Sequence, residues 1–293
     1  MPKSIYKYSY LLAAFCKKYI GVWYLQKLSL VAFMLMPLML FQGNEPVSVF
    51  KVEGEDEIYV YVRNRHIYPI TIEVQFELEN LTSQDQFPFN GVIDANDQQK
   101  IATLSYQNKS ESWKYGSRYR YFMGDIHAKH DSFYAYRLPF KKGLAYRVNQ
   151  GYNSTFTHKD NLSYSLDFDM PEGGEVYAAR DGLVVEFEES NNLGGPLDKY
   201  MDKANYLTIM HSDGTFADYI HLKKDGVLVE TGQEIRRGQL IGYSGNTGFT
   251  TGPHLHFTVK KTKQGGGFVS LPVRFHTIDG VMKLEEGALY TAY

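Results

Sequence analysis

Apolar and polar residues alternate along residues 70–78, where Ile, Ile, Val, Phe and Leu are separated by Thr, Glu, Gln and Glu. A period of two over nine residues predicts a strand with one buried and one solvated face. Similar short runs, separated by Asn, Asp, Gly and Ser clusters, lie at 58–62, 101–106, 118–123, 133–138 and 144–148. Because no helical period lies between them, we expect a β-sandwich-like domain over residues 46–148. It would serve as a scaffold, a binding module or a docking module.

From residue 149 the apolar runs remain short, and glycine-rich turns separate them. The content of 24 Tyr and 18 Phe also favours strands. We therefore expect an all-β protein in which a second domain, residues 149–293, is an antiparallel β-sheet. A polar loop at 189–204 is expected to border a groove in this domain.

An uncharged apolar run occupies residues 28–41, and Lys17, Lys18 and Lys27 precede it. Its 14 residues are too few for an ordinary membrane-spanning helix. The run is typical of a signal-peptide core or a short anchor, whereas a buried core helix would show a polar face. No small-x-small cleavage site follows, so an uncleaved anchor and a misassigned start codon both stay open. We assign residues 1–45 to this segment and a spacer.

Charge and cysteine content indicate where the rest of the chain resides. The net charge of −2, without a basic stripe, does not indicate nucleic-acid binding. Positive charge before the apolar run predicts that the residues after about Gly43 are exported. The only cysteine, Cys16, precedes that run, so the exported part cannot form a disulfide. These features predict a periplasmic or cell-envelope protein, either free or anchored in the inner membrane.

Two histidines stand one residue apart after Pro253. Alternation over residues 254–259 places His254 and His256 on one strand face, and Leu255 and Phe257 on the other. Two imidazoles on one face of a rigid strand can converge on a single metal ion. An isolated His-x-His pair is more often a pair of surface histidines, so the interpretation depends on residues elsewhere in the chain.

A catalytic zinc site needs three protein ligands and one open position for water. His158, Asp167 and one member of the His254/His256 pair supply such a set, and the residues alone leave both members possible. Each residue by itself also has a structural explanation; Asp167, for example, could cap a turn.

Further polar groups lie within residues 215–222, where alternation predicts that Tyr219 and His221 share a strand face. His221 and the histidine that does not bind metal could activate water, stabilise the oxyanion and protonate the leaving amine.

Three ordered segments then resemble the LytM/lysostaphin-type zinc peptidases of family M23. They are SLDFDMPEGGEVYAARDGLVV at 165–185, NYLTIMHSDGTFADYIHL at 205–222, and GQLIGYSGNTGFTTGPHLHF at 238–257. The resemblance extends over about residues 151–275. Three segments in the right order are far more specific than any one of them.

The resemblance implies a compact antiparallel sheet with a groove, and it implies roles for individual residues. The implied zinc ligands are His158, Asp167 and His256, the implied catalytic non-ligand histidines are His221 and His254, and the expected substrate contacts are Tyr219 and Asn246. Many members have the first ligand histidine four residues before the aspartate, with a glycine between them. Here the separation is nine residues and Ser165 stands at the glycine position, so a longer loop must deliver His158.

The implied activity is a zinc-dependent (Zn2+) endopeptidase that cleaves stem or cross-link peptides of bacterial peptidoglycan. The alternative is an inactive member of the family that regulates or activates other cell-wall hydrolases. Inactive members lose ligands, whereas all three ligand positions and both catalytic positions are filled here. The sequence therefore favours the enzyme.

Overall fold

Short strands make up about half of residues 45–293, the part of the chain that the computed structural model describes. The first seven are β1 (Val47–Glu53), β2 (Glu57–Asn64), β3 (Ile70–Glu79), β4 (Leu81–Thr82), β5 (Phe89–Ile93), β6 (Gln98–Tyr106) and β7 (Lys114–Met123). They form two antiparallel sheets, with strand orders β1-β2-β6-β4 and β5-β3-β7.

The two sheets share one hydrophobic core. The alternating residues Ile70, Ile72 and Val74 of β3 are at most 1% exposed, and they belong to the same buried cluster as Ile58 and Val60 of β2. One face of each sheet is thus removed from water, which is the main stabilising contribution of such a sandwich. The predicted β-sandwich-like fold is confirmed.

The remaining strands are β8 (Ala135–Arg137), β9 (Ala145–Gln150), β10 (Ser165–Phe168), β11 (Glu175–Tyr177), β12 (Gly182–Glu188), β13 (Gly194–Gly195), β14 (Tyr206–Met210), β15 (Phe216–Ile220), β16 (Leu222–Val227), β17 (Glu234–Ile235), β18 (Leu240–Ser244), β19 (Gly248–Phe249), β20 (Leu255–Thr262), β21 (Phe268–Ser270), β22 (Arg274–Thr277), β23 (Gly280–Met282) and β24 (Leu289–Thr291). Two short 3-10 helices, η1 (Asp160–Leu162) and η2 (Asp198–Lys203), lie in loops. The predicted all-β class is confirmed.

The largest sheet has the antiparallel order β17-β12-β14-β15-β20-β10-β9-β24, and β21 also pairs with β20. Smaller sheets have the orders β11-β18-β16 and β23-β22-β8, and β13 pairs with β19. The β8–β22 and β13–β19 pairs are parallel. Edge-to-face aromatic contacts fill the core beneath β15 and β20, with Phe257 5.2 Å from Tyr219 and 5.8 Å from Phe275 between ring centroids.

The predicted division at residues 148/149 is crossed by strand pairing. Strand β8 lies before it and β9 spans it, yet β8 pairs with β22 and β9 pairs with β10. The division itself stays a prediction.

The apolar run at 28–41 lies outside the described residues. Within residues 45–293, no helix has the length and hydrophobicity needed to cross a membrane.

Candidate metal centre

Adjacent strands bring Asp167 and His256 face to face. In the antiparallel β10–β20 pair, Asp167 is the direct cross-strand partner of His256, and His256 Nδ1 lies 2.8 Å from Asp167 Oδ1. Leu255 and Phe257, on the opposite face of β20, are buried in the hydrophobic core. The alternation predicted around His256 is therefore confirmed, and it separates the polar site from the core.

His158 reaches the same carboxylate from the loop between β9 and β10. Its ring is fully buried, and Nε2 lies 3.2 Å from Asp167 Oδ1. Nδ1 donates to the carbonyl oxygen of Gly151 at 2.9 Å, which leaves Nε2 as the nitrogen that faces the carboxylate and can offer a lone pair to a metal ion. One potential ligand atom from each of His158, Asp167 and His256 lies within 4.8 Å of the other two.

A hydroxyl pair fixes the tautomer of His256. The Thr258 hydroxyl donates to Ser165 Oγ at 2.6 Å, so its oxygen accepts a hydrogen bond from His256 Nε2 at 2.9 Å. His256 Nδ1 is then the nitrogen that faces Asp167 and can offer its lone pair to a metal ion in place of a proton. Ser165, the residue at the usual glycine position, is thus part of the support for this ligand. Two imidazoles and a carboxylate form a donor set that suits zinc, and the residues present fit a metal ion.

His221 and His254 lie beside this group, and their ring centroids are 4.5 Å apart. His221 directly follows β15 in a left-handed conformation, with φ of 66°, and its Nδ1 donates to the Thr247 carbonyl at 2.6 Å. His254 Nδ1 donates to the Gly252 carbonyl at 2.8 Å, and its Nε2 lies 3.9 Å from Asp167 Oδ2. In both rings Nε2 is therefore the nitrogen available for proton exchange.

The charge states follow from burial and contacts. Burial opposes ionisation of Asp167, but hydrogen bonds with His158 and His256 hold the pKa of this carboxyl well below its usual range. Burial, together with the neighbouring His254 and His256, lowers the pKa of His221 to about 3. At neutral pH the site therefore combines an ionised carboxylate with a neutral His221.

A groove of about 890 Å³ is lined by Asp167, His221, His254 and His256. His158 is not among its lining residues. The apolar parts of the groove include Phe156 from the loop that carries His158, Phe249 from β19, and Met201 from η2. The loop at 189–204 therefore borders the groove, as predicted. A groove with apolar sides and convergent polar groups is typical of a binding site for an organic ligand.

The structure contradicts the predicted substrate contact of Tyr219. This side chain is fully buried, and its hydroxyl accepts a hydrogen bond from the Ala179 amide at 2.8 Å. Strand β15 ends at Ile220, and the left-handed conformation of His221 interrupts the alternation. Tyr219 therefore points into the core while His221 lines the groove, and the two residues do not share a face.

Asn246 is not among the residues that line the groove. Its Oδ1 accepts a hydrogen bond from Thr250 Oγ1 at 3.2 Å, so the side chain supports the loop before β20. Its predicted substrate contact gains no support from this position.

Sequence reasoning missed two residues that contact the candidate ligands. Thr258 accepts from His256, as described above, and Gln150 Nε2 lies 2.5 Å from Asp167 Oδ2. Thr258 could have been found by continuing the strand alternation two residues beyond His256. Gln150 could not, because its position depends on the register between β9 and β10.

Part of the chain is similar in sequence to known peptidases. Residues 144–266 match the sequence profile of Peptidase family M23. The chain is 31% identical to an uncharacterized metalloprotease of Buchnera aphidicola, over 53% of this chain and 38% of the relative. It is 44% identical to the peptidoglycan DD-endopeptidase ShyA of Vibrio cholerae, over 31% of this chain and 18% of the relative.

Among solved structures, lysostaphin from Staphylococcus simulans is 32% identical, with coverage of 40% of this chain and 42% of that chain and a TM-score of 0.31. The chain thus spans less than half the length of each of these three proteins.

Proposed function

The chain belongs to peptidase family M23 through residues 144–266, and from this premise we propose that it is a zinc-dependent endopeptidase of bacterial peptidoglycan. The observation that carries the proposal is the convergence of His158, Asp167 and His256 on one point beside an open groove. The match to an enzyme named peptidoglycan DD-endopeptidase supports the substrate class.

The metal would be held by His158 Nε2, a carboxylate oxygen of Asp167 and His256 Nδ1, the atoms that face one another. When bound, a zinc ion supplies a Lewis acid that activates water and polarises the scissile carbonyl. The hydrogen bonds on the opposite nitrogens of the two histidines hold each ring in the tautomer that binding requires.

His221 and His254 would handle protons during peptide hydrolysis. The Nδ1 atom of each ring is occupied by a backbone carbonyl, so proton transfer is directed to Nε2. Neutral His221 would take a proton from the attacking water at Nε2, and this proton would then pass to the leaving amine. His254, when its Nε2 also carries a proton, would stabilise the oxyanion. The groove beside Phe249 and Met201 would hold the peptide so that its scissile bond lies over these groups.

We further propose that the domain acts in the periplasm or cell envelope, after export directed by residues 28–41. The lysines before that run and the lack of cysteine after it support this placement. A reporter that is active only after export, fused to the C-terminus of the full chain, tests it. Activity that persists after deletion of residues 28–41 would contradict it.

The test of the enzyme combines zinc content with the release of muropeptides from purified sacculi. For the full chain we expect about one zinc ion per protein and measurable release. His256→Ala should lose both, because a ligand is gone. His221→Ala should retain zinc and lose about 10²- to 10⁴-fold in rate, because a proton-transfer group is gone. His127→Ala, an exposed loop histidine, serves as the control.

A wild-type protein without zinc and without muropeptide release would contradict the enzyme. If such a protein increased release by another hydrolase, the regulator would be the correct function.

A further inference from the structure

A β-bulge places Gln150 directly beside Asp167. Phe168 pairs with Val148 but Asp167 pairs with Gln150, so β9 contains one extra residue, Asn149, at this point. Bulges redirect side chains and recur beside functional sites. Here the bulge makes Gln150 the cross-strand partner of the carboxylate, and Gln150 Nε2 donates to Asp167 Oδ2 at 2.5 Å.

The other end of the same amide holds the loop that carries His158. Gln150 Oε1 accepts hydrogen bonds from the Thr157 amide at 3.2 Å and from Thr157 Oγ1 at 3.1 Å. Thr157 immediately precedes His158. These donors require an oxygen, and the Asp167 carboxylate requires a donor, so both contacts define one orientation of the amide.

A second connection anchors the start of this loop. The Gly151 carbonyl accepts from His158 Nδ1 at 2.9 Å, and the Gly151 amide donates to Glu286 Oε2 at 3.0 Å. Gly151 directly follows Gln150, so both ends of the path from Gln150 to His158 are held. A Cβ at Gly151 would lie 3.0 Å from the backbone nitrogen of Glu286, which is tighter than ordinary packing.

We propose that Gln150 is a positioning residue that sets the distance between Asp167 and His158 for metal binding. The proposal rests on the zinc peptidase function proposed above. It explains how a histidine nine residues before the aspartate reaches the site: one amide joins the carboxylate to the residue next to the histidine. Oδ2 of Asp167 is engaged by Gln150, and Oδ1 stays directed at the two histidines.

Replacement of a partner of a metal ligand typically weakens metal binding by about 10- to 100-fold. Gln150→Met has nearly the same length and makes neither contact, so we expect the zinc dissociation constant to rise within this range. Thr157→Val removes only the hydroxyl contact and should raise it by a few-fold. Because Thr157 acts through Gln150, the double variant should bind zinc no more weakly than Gln150→Met alone.

The experiment measures the zinc dissociation constant of the full chain by competition with a chromophoric chelator. Gln107→Met, an exposed glutamine in the first β region, is the matched control. The melting temperature without zinc is recorded for each variant. Peptide hydrolysis is measured as a function of zinc concentration, and the zinc requirement of Gln150→Met should move upward by the same factor as its dissociation constant.

If the wild type binds zinc and Gln150→Met binds it with the same affinity, the positioning role of Gln150 is overturned and the peptidase proposal stays intact. Additive losses in the double variant would also overturn it. If Gln150→Met fails to fold without zinc, Thr157→Val decides: unchanged affinity there overturns the proposal, and a few-fold loss at an unchanged melting temperature supports it. A wild type that binds no zinc would overturn both proposals.

Discussion

Lowering the pH should destabilise the protein through one buried histidine remote from the candidate ligands. His211 is 2% exposed, and its Nδ1 donates to the Asp181 carbonyl at 2.7 Å. Its Nε2 is buried without a hydrogen-bond partner among the described residues. Burial lowers the pKa of His211 to about 4; the Asp181 carbonyl and Asp213 raise it, and Arg180 lowers it further.

The magnitude follows from the difference between the folded and unfolded pKa values. The unfolded chain binds a proton at His211 near the ordinary pKa of 6.5, whereas the folded chain does so only near 4. The stability contributed by the neutral ring is therefore fully present above the unfolded pKa and decreases as the pH falls toward the folded pKa. The free energy of unfolding should lose about 2 kcal/mol by about pH 5 and about 3 kcal/mol by about pH 4 from this residue.

Urea denaturation of the zinc-free full chain between about pH 7 and about pH 4.5 measures this loss. His211→Gln removes the titrating group, so its free energy of unfolding should decrease less steeply with falling pH than that of the wild type. His127→Gln, at an exposed position, should follow the wild type. Equal pH slopes for the wild type and His211→Gln would refute the reasoning.

Two further substitutions separate roles that the structure assigns. Thr258→Val leaves His256 Nε2–H without its acceptor and should weaken zinc binding by about 10- to 100-fold. Thr258→Ser keeps a hydroxyl and should retain most of the affinity. Equal zinc affinities of the two variants in titrations would argue against a role of Thr258 in setting the His256 tautomer. Tyr219→Phe leaves a buried backbone amide unpaired and should lower the free energy of unfolding by about 1–3 kcal/mol without changing KM. A raised KM of Tyr219→Phe with an unchanged free energy of unfolding would instead support the predicted substrate contact of Tyr219.

Local sequence patterns predicted those parts of the molecule that depend only on the alternation of apolar and polar residues. Strict alternation predicted β3 and its buried face, because the hydrophobic effect selects one face of a strand whatever its neighbours are. The same rule separated His256 from Leu255 and Phe257. The rule failed at His221, where a left-handed backbone ends the strand geometry, and so Tyr219 was placed wrongly.

The approach of His158 to Asp167 shows the limit of motif spacing. A separation of nine residues does not specify whether a loop returns to the strand it left. In the structure it returns because the Gln150 side chain contacts both Asp167 and Thr157. That contact requires the bulge between β9 and β10, which is a property of two paired strands and not of either one.

By itself, the sequence determined the all-β class, the family resemblance and the residue types of a metal site, since these depend on composition, period and local motifs. Only the tertiary structure decided which nitrogen of each histidine faces the carboxylate, which tyrosine is buried, and what holds the long loop. Those properties depend on hydrogen bonds between residues distant in sequence, such as Gln150 with Asp167 and Ser165 with Thr258, and strand register alone brings such residues together.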